Sequence, residues 1–200
     1  MQIYLIRHGE TDWNKQMRIH GREDIELNNN GILQANKCGQ VFRNLSIDLI
    51  ISSPLKRAKE TSKIIASYLG IEKVIIDENL IERDYGKLSG LIPQEREKNC
   101  NSGQKDEMES WDDLSKRIKN VLNNYSNNIE YKNIIMVSHG AAINAVLAIL
   151  SDYAIGTGKT KLKNACINVL HCTNQSMKID MHNLTSEEFR DILKTHELEK

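Results

Sequence analysis

Three apolar runs in this chain of 200 residues each lead into a histidine or an arginine with glycine or serine close by, and that repetition constrains the fold more than any other feature. Ile3 to Ile6 leads into Arg7-His8-Gly9-Glu10-Thr11, Ile50-Ile51-Ser52-Ser53-Pro54 leads to Arg57, and Ile134-Ile135-Met136-Val137-Ser138 leads to His139-Gly140. Read as strands, the three runs carry their reactive groups at or just beyond their carboxyl ends. Open α/β sheets gather such groups there, because loops at that edge wrap a ligand and no side chain need be buried to reach it.

The rest of the chain alternates strand and helix signals, as a sheet covered on both faces requires. Strands are expected over Ile3–Arg7, Leu49–Ser52, Val74–Ile76, Asn133–Ser138, Ala165–His171 and Met177–Met181. Helices are expected from about Gly31 to Leu45, Pro54 to Leu69, Trp111 to Ile129, His139 to Leu150 and Ser186 to Glu197. Pro54 suits a first helical turn, where its missing N–H has no intrahelical partner. Ser110 with Asp113, and Thr185 with Glu188, have capping-box spacing, and Asn28-Asn29-Asn30 reads as a turn. The expected fold is therefore α/β: a three-layer α/β/α sandwich with a mostly parallel central sheet of about six strands and helices on both faces. With 40% hydrophobic residues and no Pro/Gly/Ser-rich linker, residues 1–200 are expected to form a single domain. Residues from about 181 onward read as a polar C-terminal helix that packs loosely on the domain or projects toward a partner subunit, which leaves a homodimer open.

The clustered residue types fit phosphate chemistry. A phosphate monoester is dianionic, and attack on it concentrates further charge on its oxygens. Two guanidiniums grip those oxygens through paired N–H donors, which a lysine ammonium cannot do. A neutral imidazole can then attack phosphorus and form a phosphohistidine, dividing one hard displacement into two easier ones. The leaving alcohol needs a proton, so a carboxylic acid with a raised pKa is expected nearby, and Glu82 is the candidate. Taken singly, each residue has a plainer reading: a buried histidine bonded to backbone, a histidine capping a strand end, a solvated arginine on a helix, a surface carboxylate. Their joint order argues for the site.

These residues resemble the histidine phosphatase superfamily, the phosphoglycerate mutase-like family, over about Met1 to Thr173. The likeness comes in five blocks in the family's order. Arg7 to Thr11 continued through Trp13-Asn14 is similar to the phosphohistidine loop. Gly21, Leu27, Gly31, Gln34 and Ala35 fall where the family has its next loop and helix. Ser52-Ser53-Pro54-Leu55 with Arg57-Ala58 and Glu60-Thr61 resembles the second arginine block. Leu80-Ile81-Glu82-Arg83 with Gly86 and Gly90 resembles the acid loop, and Ser138-His139-Gly140 the second histidine. The resemblance implies that His8 is the nucleophile, that Arg7, Arg57 and His139 hold the phosphoryl group, and that Glu82 is general acid and then base toward water. It also implies that Asn14 donates to a phosphate oxygen, that Thr11 belongs to the substrate-binding loop, and that the backbone N–H of Gly140 adds partial positive charge at a helix start. No metal and no cofactor is expected.

Charge and cysteines narrow the class further. With 27 basic and 27 acidic residues, no broad field would recruit nucleic acid or an acidic membrane, so attraction for an anion must be local. The opening apolar stretch is a strand long and runs straight into the catalytic loop, and the apolar segment around Ala141 to Leu150 is far short of a membrane span. Cys38, Cys100, Cys166 and Cys172 show no Cys-x-x-Cys spacing, and Cys166 and Cys172 read as core thiols, which fits a cytoplasmic protein. Gly156-Thr157-Gly158-Lys159-Thr160 imitates the end of a phosphate-binding P-loop, but Tyr153 stands where that loop needs glycine and a helix precedes it, so it reads as a flexible loop.

Substrate class is the harder question. Glu82-Arg83-Asp84-Tyr85-Gly86 is similar to the form in cofactor-dependent phosphoglycerate mutases, which interconvert 2- and 3-phosphoglycerate with 2,3-bisphosphoglycerate as cofactor. Those mutases, however, carry a longer insertion with an adjacent arginine pair, whereas Leu91 to Ser110 here supplies only Arg96, Lys98 and Lys105. A short cover makes it harder to keep a bisphosphate intermediate from water. Hydrolysis of a small phosphate ester is the expected reaction, with the mutase and a non-catalytic phospho-ligand-binding module as alternatives. Arg22, directly after Gly21, is a candidate contact for a second anionic group on the substrate.

Overall fold

The computed structural model describes residues 1–95, 107–128, 130–173 and 176–198; Arg96, Lys98, Cys100, Lys105 and Ile129 lie outside the described residues. Six strands, β1 (Gln2–Arg7), β2 (Leu49–Ser52), β3 (Ile75–Ile76), β4 (Asn133–Ser138), β5 (Ile167–Cys172) and β6 (Met177–Leu184), form one sheet in the order β3-β2-β4-β1-β5-β6. The first four are mutually parallel. β5 runs antiparallel to β1, and β6 antiparallel to β5. The described helices that cover the sheet and frame the site include α1 (Asp12–Lys15), α2 (Asn29–Phe42), α3 (Lys56–Leu69), α4 (Trp111–Ser126), α5 (Gly140–Leu150) and α6 (Ser186–Leu198).

The two-residue period of the strands sorts the core into layers. Ile3, Leu5, Ile134 and Met136 pack with Leu114, Ile118 and Val121 of α4 and Ile143 and Leu147 of α5. Their neighbours Tyr4, Ile6, Ile135 and Val137 face the other way, onto Cys38 and Phe42 of α2, Ala58 and Ile65 of α3 and Phe189 of α6. The result is the expected α/β/α arrangement. It places the carboxyl ends of β2, β4 and β1 side by side, with Arg7 opposite Ser138 and Ser52 opposite Val137.

Several boundaries differ from the expected ones for local reasons. Asn28 accepts from the Gly31 N–H as an N-cap, so α2 begins at Asn29 and the three asparagines are its start rather than a separate turn. α3 begins at Lys56 with Leu55 as N-cap, which leaves Pro54 just outside the helix. α4 ends at Ser126, with Asn127 as its C-cap. β5 starts after Ala165, which adopts a φ of 51° and gives its N–H to the His8 carbonyl. β6 continues to Leu184, so residues 181–184 are strand. α6 is docked rather than loose: Phe189 is buried, its ring 6.0 Å from Tyr4 and 5.6 Å from Phe42. The box at Thr185 and Glu188 is formed in both directions. Cys38, Cys166 and Cys172 are buried free thiols.

Gly9 and Gly31 let the loop after β1 touch the first turn of α2. A Cβ on Gly9 would overlap the Gly31 carbonyl oxygen, and one on Gly31 would overlap the Glu10 carbonyl oxygen. Gln34, one turn on, accepts the Glu10 N–H at 2.9 Å. Gly9→Ala is expected to lower the thermal midpoint by roughly 2 to 12 °C, since overpacking costs about 1–3 kcal/mol and each kcal/mol is worth about 2–4 °C in a domain of this size. A circular-dichroism melt unchanged from wild type would show that the two backbones are not held in contact.

Candidate active site

His8 follows the last residue of β1, and its N–H donates to the Ser138 carbonyl of β4 at 3.0 Å, so the loop leaves the sheet fixed at both strands. The ring is 2% exposed. Its Nδ1 lies 2.7 Å from the Gly9 carbonyl oxygen. A carbonyl only accepts, so Nδ1 carries the proton and Nε2 holds the lone pair. Burial, reinforced by the charges of Arg57 and Arg7, holds His8 well below its ordinary 6.5, which keeps the ring neutral.

Two guanidiniums stand beside it, Arg57 fully buried and Arg7 half-buried. Arg57 is 0% exposed; its Nε donates to His139 Nδ1 at 3.2 Å, Nη1 to the Glu23 carbonyl at 2.6 Å and Nη2 to the Gly21 carbonyl at 3.0 Å. Three of its five N–H donors are engaged and two remain. Arg7 gives Nη1 to the Leu162 carbonyl at 2.7 Å, while its buried Nε–H has no partner. Among the described residues neither arginine forms an ion pair. Desolvation draws both down, Arg57 to about 10, which still leaves them charged at neutral pH. A cation buried as Arg57 is, with no ion pair among the described residues and only the longer-range charges of Glu82 and Asp24 to offset its desolvation, is unfavourable until an anion arrives.

Glu82 comes from the loop beyond β3 and is 8% exposed. Oε1 accepts from the N–H groups of Arg83 at 2.9 Å and of Ala141 and Ala142 at 3.1 Å, and Oε2 accepts from Ala141 at 3.1 Å. The carboxyl group therefore sits on the first turn of α5, and the amides of Ala141 and Ala142 are already committed to it. Gly140 lies between the groups: a Cβ there would be 3.7 Å from Arg7 Nε and 3.8 Å from Glu82 Oε2.

The expected residues divide into those that reach the cleft and those behind it. Arg7, His8, Asn14, Glu82 and Gly140 line an open cleft of about 690 Å³. Asn14 Oδ1 accepts from the Thr11 N–H at 3.1 Å and from Asn164 Nδ2 at 3.0 Å, and among the described residues its own NH₂ is uncommitted. Thr11 and Arg57 are 0% exposed and do not line the cleft; the Thr11 hydroxyl caps α1 and meets His20 Nε2, which orders Asn14. His139 is also fully buried. Arg57 donates to its Nδ1, so its Nε2–H donates to Ser53 Oγ at 2.6 Å, and the ring lies 5.2 Å from that of His8. In this arrangement it steadies Arg57. Arg22 turns away from the cleft, toward Asp84 at 3.5 Å and Glu109 at 3.7 Å. The Gly156–Thr160 stretch is a turn closed by its own hydrogen bonds against α5, and Thr157, Gly158 and Thr160 line the cleft.

His20 is the residue that reading the sequence passed over. It ends no apolar run, yet its ring packs 6.0 Å from His8 and 5.7 Å from Trp13. Burial, then Arg57 and Arg7, lower it to about 3, and His139 is likewise held well below 6.5 by burial and by Arg57. These three histidines are neutral when folded, whereas in the unfolded chain they take up protons below about pH 6.5. Their contribution to stability is therefore complete above that pH and lost progressively as pH falls toward the depressed values. The thermal midpoint is expected to drop as pH is lowered from 6.5 toward 3, and to drop less in His20→Gln. A midpoint independent of pH across that window would contradict neutral buried histidines.

The family model described as histidine phosphatase superfamily (branch 1) matches residues 3–185. The chain belongs to that superfamily. PhoE, an uncharacterized phosphatase of Bacillus subtilis (strain 168), is 37% identical over 184 residues, covering 92% of this chain and 95% of PhoE. GpmB, a probable phosphoglycerate mutase of Salmonella choleraesuis (strain SC-B67), is 34% identical over 180 residues, 84% of this chain and 83% of GpmB. Among solved structures, a phosphoserine phosphatase mutant from Entamoeba histolytica in complex with phosphoserine is similar, with a TM-score of 0.79 and 31% identity over 91% of this chain and 96% of that one.

Proposed function

We propose that this superfamily member is a metal-independent phosphomonoester hydrolase that passes the phosphoryl group through His8 of its own chain. The observation that carries the reading is a neutral buried imidazole set beside two guanidiniums, Arg57 fully buried and Arg7 half-buried with its Nε–H enclosed, neither of which forms an ion pair among the described residues. The Nε2 lone pair attacks phosphorus while Arg7 and Arg57 donate to the phosphoryl oxygens. The P–O bond to the alcohol breaks, and the Glu82 carboxyl proton goes to the departing oxygen. In the second half Glu82 takes a proton from water, whose oxygen attacks phosphorus and breaks the P–N bond, releasing inorganic phosphate and restoring neutral His8. The positive charge that a metal ion would bring to the transition state is supplied here by the guanidiniums.

Small phosphorylated metabolites suit the cleft, and phosphoserine and 3-phosphoglycerate are the first to test, because similar structures are complexes with each. Phosphorus NMR with EDTA present, on 3-phosphoglycerate with a trace of 2,3-bisphosphoglycerate and separately on phosphoserine and an aryl phosphate, separates the reactions. Inorganic phosphate with negligible 2-phosphoglycerate is the expected result. Rapid 2-phosphoglycerate formation with little inorganic phosphate would make the chain a mutase, and loss of all turnover in EDTA would contradict independence from metal.

A further inference from the structure

The loop that carries Glu82 is held from behind by an arginine with no contact to the cleft. Arg117 projects from α4, and all five of its N–H donors are engaged. Nε donates to Glu109 Oε1 at 2.6 Å and Nη2 to Glu109 Oε2 at 2.9 Å. Nη1 donates to the carbonyls of Asn79 and Ile81 at 2.7 Å each, and Nη2 to the carbonyl of Glu82 itself at 3.1 Å. Glu109 completes the clasp. Its Oε2 accepts the Asp84 N–H at 3.2 Å, its own N–H donates to the Asp84 carbonyl at 3.0 Å, and its carbonyl accepts Arg83 Nε at 2.8 Å. Burial alone would push the Glu109 carboxyl up, but the hydrogen bonds and charge of Arg117 bring it below the ordinary carboxylate value, so the pair stays ionised.

We infer that Arg117, clasped to Glu109, is a positioning residue for proton transfer by Glu82. The inference rests on the reading of Glu82 as the acid. The chemistry favours arginine specifically: five donors in a fixed fork span a carboxylate and three carbonyls at once, whereas lysine has three donors on a single nitrogen. The clasp acts on the backbone on both sides of Glu82, while the amides of Ala141 and Ala142 fix its carboxyl oxygens. Together they determine where the proton is delivered. Arg22 adds ion pairs to Asp84 and Glu109, which ties the loop preceding α2 to the same clasp.

The test is kcat/KM for a series of phosphomonoesters from nitrophenyl to alkyl leaving groups, measured for wild type, Arg117→Lys, Glu109→Gln and Glu82→Gln. An aryl oxide leaves with little help, but an alkoxide needs the proton, so displacement of Glu82 should harm alkyl esters selectively. Displacing a reacting group by about 1 Å can cost on the order of 10²-fold, so Arg117→Lys and Glu109→Gln are each expected to lose roughly 10- to 100-fold more activity on alkyl than on aryl phosphates. Adding Arg117→Lys to Glu82→Gln should produce no further selective loss. Equal losses on both ester classes in both clasp variants, with Glu82→Gln selective, would overturn the inference and leave Arg117 with a purely structural role. A Glu82→Gln variant that is not selective would instead defeat the assignment of Glu82 as the acid. Glu109→Gln preserves the test if Arg117→Lys does not fold.

Discussion

His8→Ala loses turnover of phosphomonoesters by roughly 10⁴- to 10⁶-fold, the scale seen when a covalent nucleophile is removed, yet it folds. Among the described residues the side chain makes one hydrogen bond, to the Gly9 carbonyl, and otherwise faces the cleft and the neighbouring rings. Its removal also relieves a desolvated imidazole that has four positively charged or titratable neighbours in Arg57, His139, Arg7 and His20. The thermal midpoint should therefore stay within a few degrees of wild type at neutral pH. Turnover with an aryl phosphate, read beside a melt of the same preparation, checks both halves. Residual activity above about one part in a hundred would show that another group attacks phosphorus.

Arg57→Ala has the second largest expected effect, on activity and on folding together. Losing one preorganised donor set to a developing anion costs on the order of 2.7–4 kcal/mol, or about 10²- to 10³-fold in kcat/KM. The carbonyls of Gly21 and Glu23 and the Nδ1 of His139 lose their donor at the same time, so the melting midpoint falls as well. Arg57→Lys restores charge but not the fork, and is expected to recover only part of either loss. The pH profile gives an independent reading. Arg57 is the largest single charge holding His8 down, so its removal lets that pKa rise, and the acid limb of kcat/KM should move to higher pH. An acid limb that stays in place would mean that the free enzyme does not depend on neutral His8.

The parts of this site that strands deliver were legible in the sequence. Arg7, His8, Arg57 and His139 follow apolar runs, and parallel pairing of β1, β4 and β2 forces their carboxyl ends to one edge. Glu82 follows only the two-residue β3, so little periodicity points to it, and the resemblance supplied it. Residues that act through long-range contacts were not legible. His20 reaches His8 across a turn, and Arg117 meets Glu82 from a helix 35 residues away, separations that no local pattern records. Thr11 and Arg22 show the converse. Both lie in the right segments, but the hydroxyl of Thr11 is taken by a helix cap and the guanidinium of Arg22 by Asp84 and Glu109.

The central claim is a covalent bond between phosphorus and His8 Nε2. Rapid quench of the protein with a phosphorus-labelled substrate, followed by peptide mapping under alkaline conditions, tests it directly. The account predicts an acid-labile, base-stable phosphoryl group on the peptide containing His8, formed within the first turnover and absent from His8→Ala. Turnover by the wild-type protein with no label on that peptide at any time would contradict it, because water would then be attacking the ester directly.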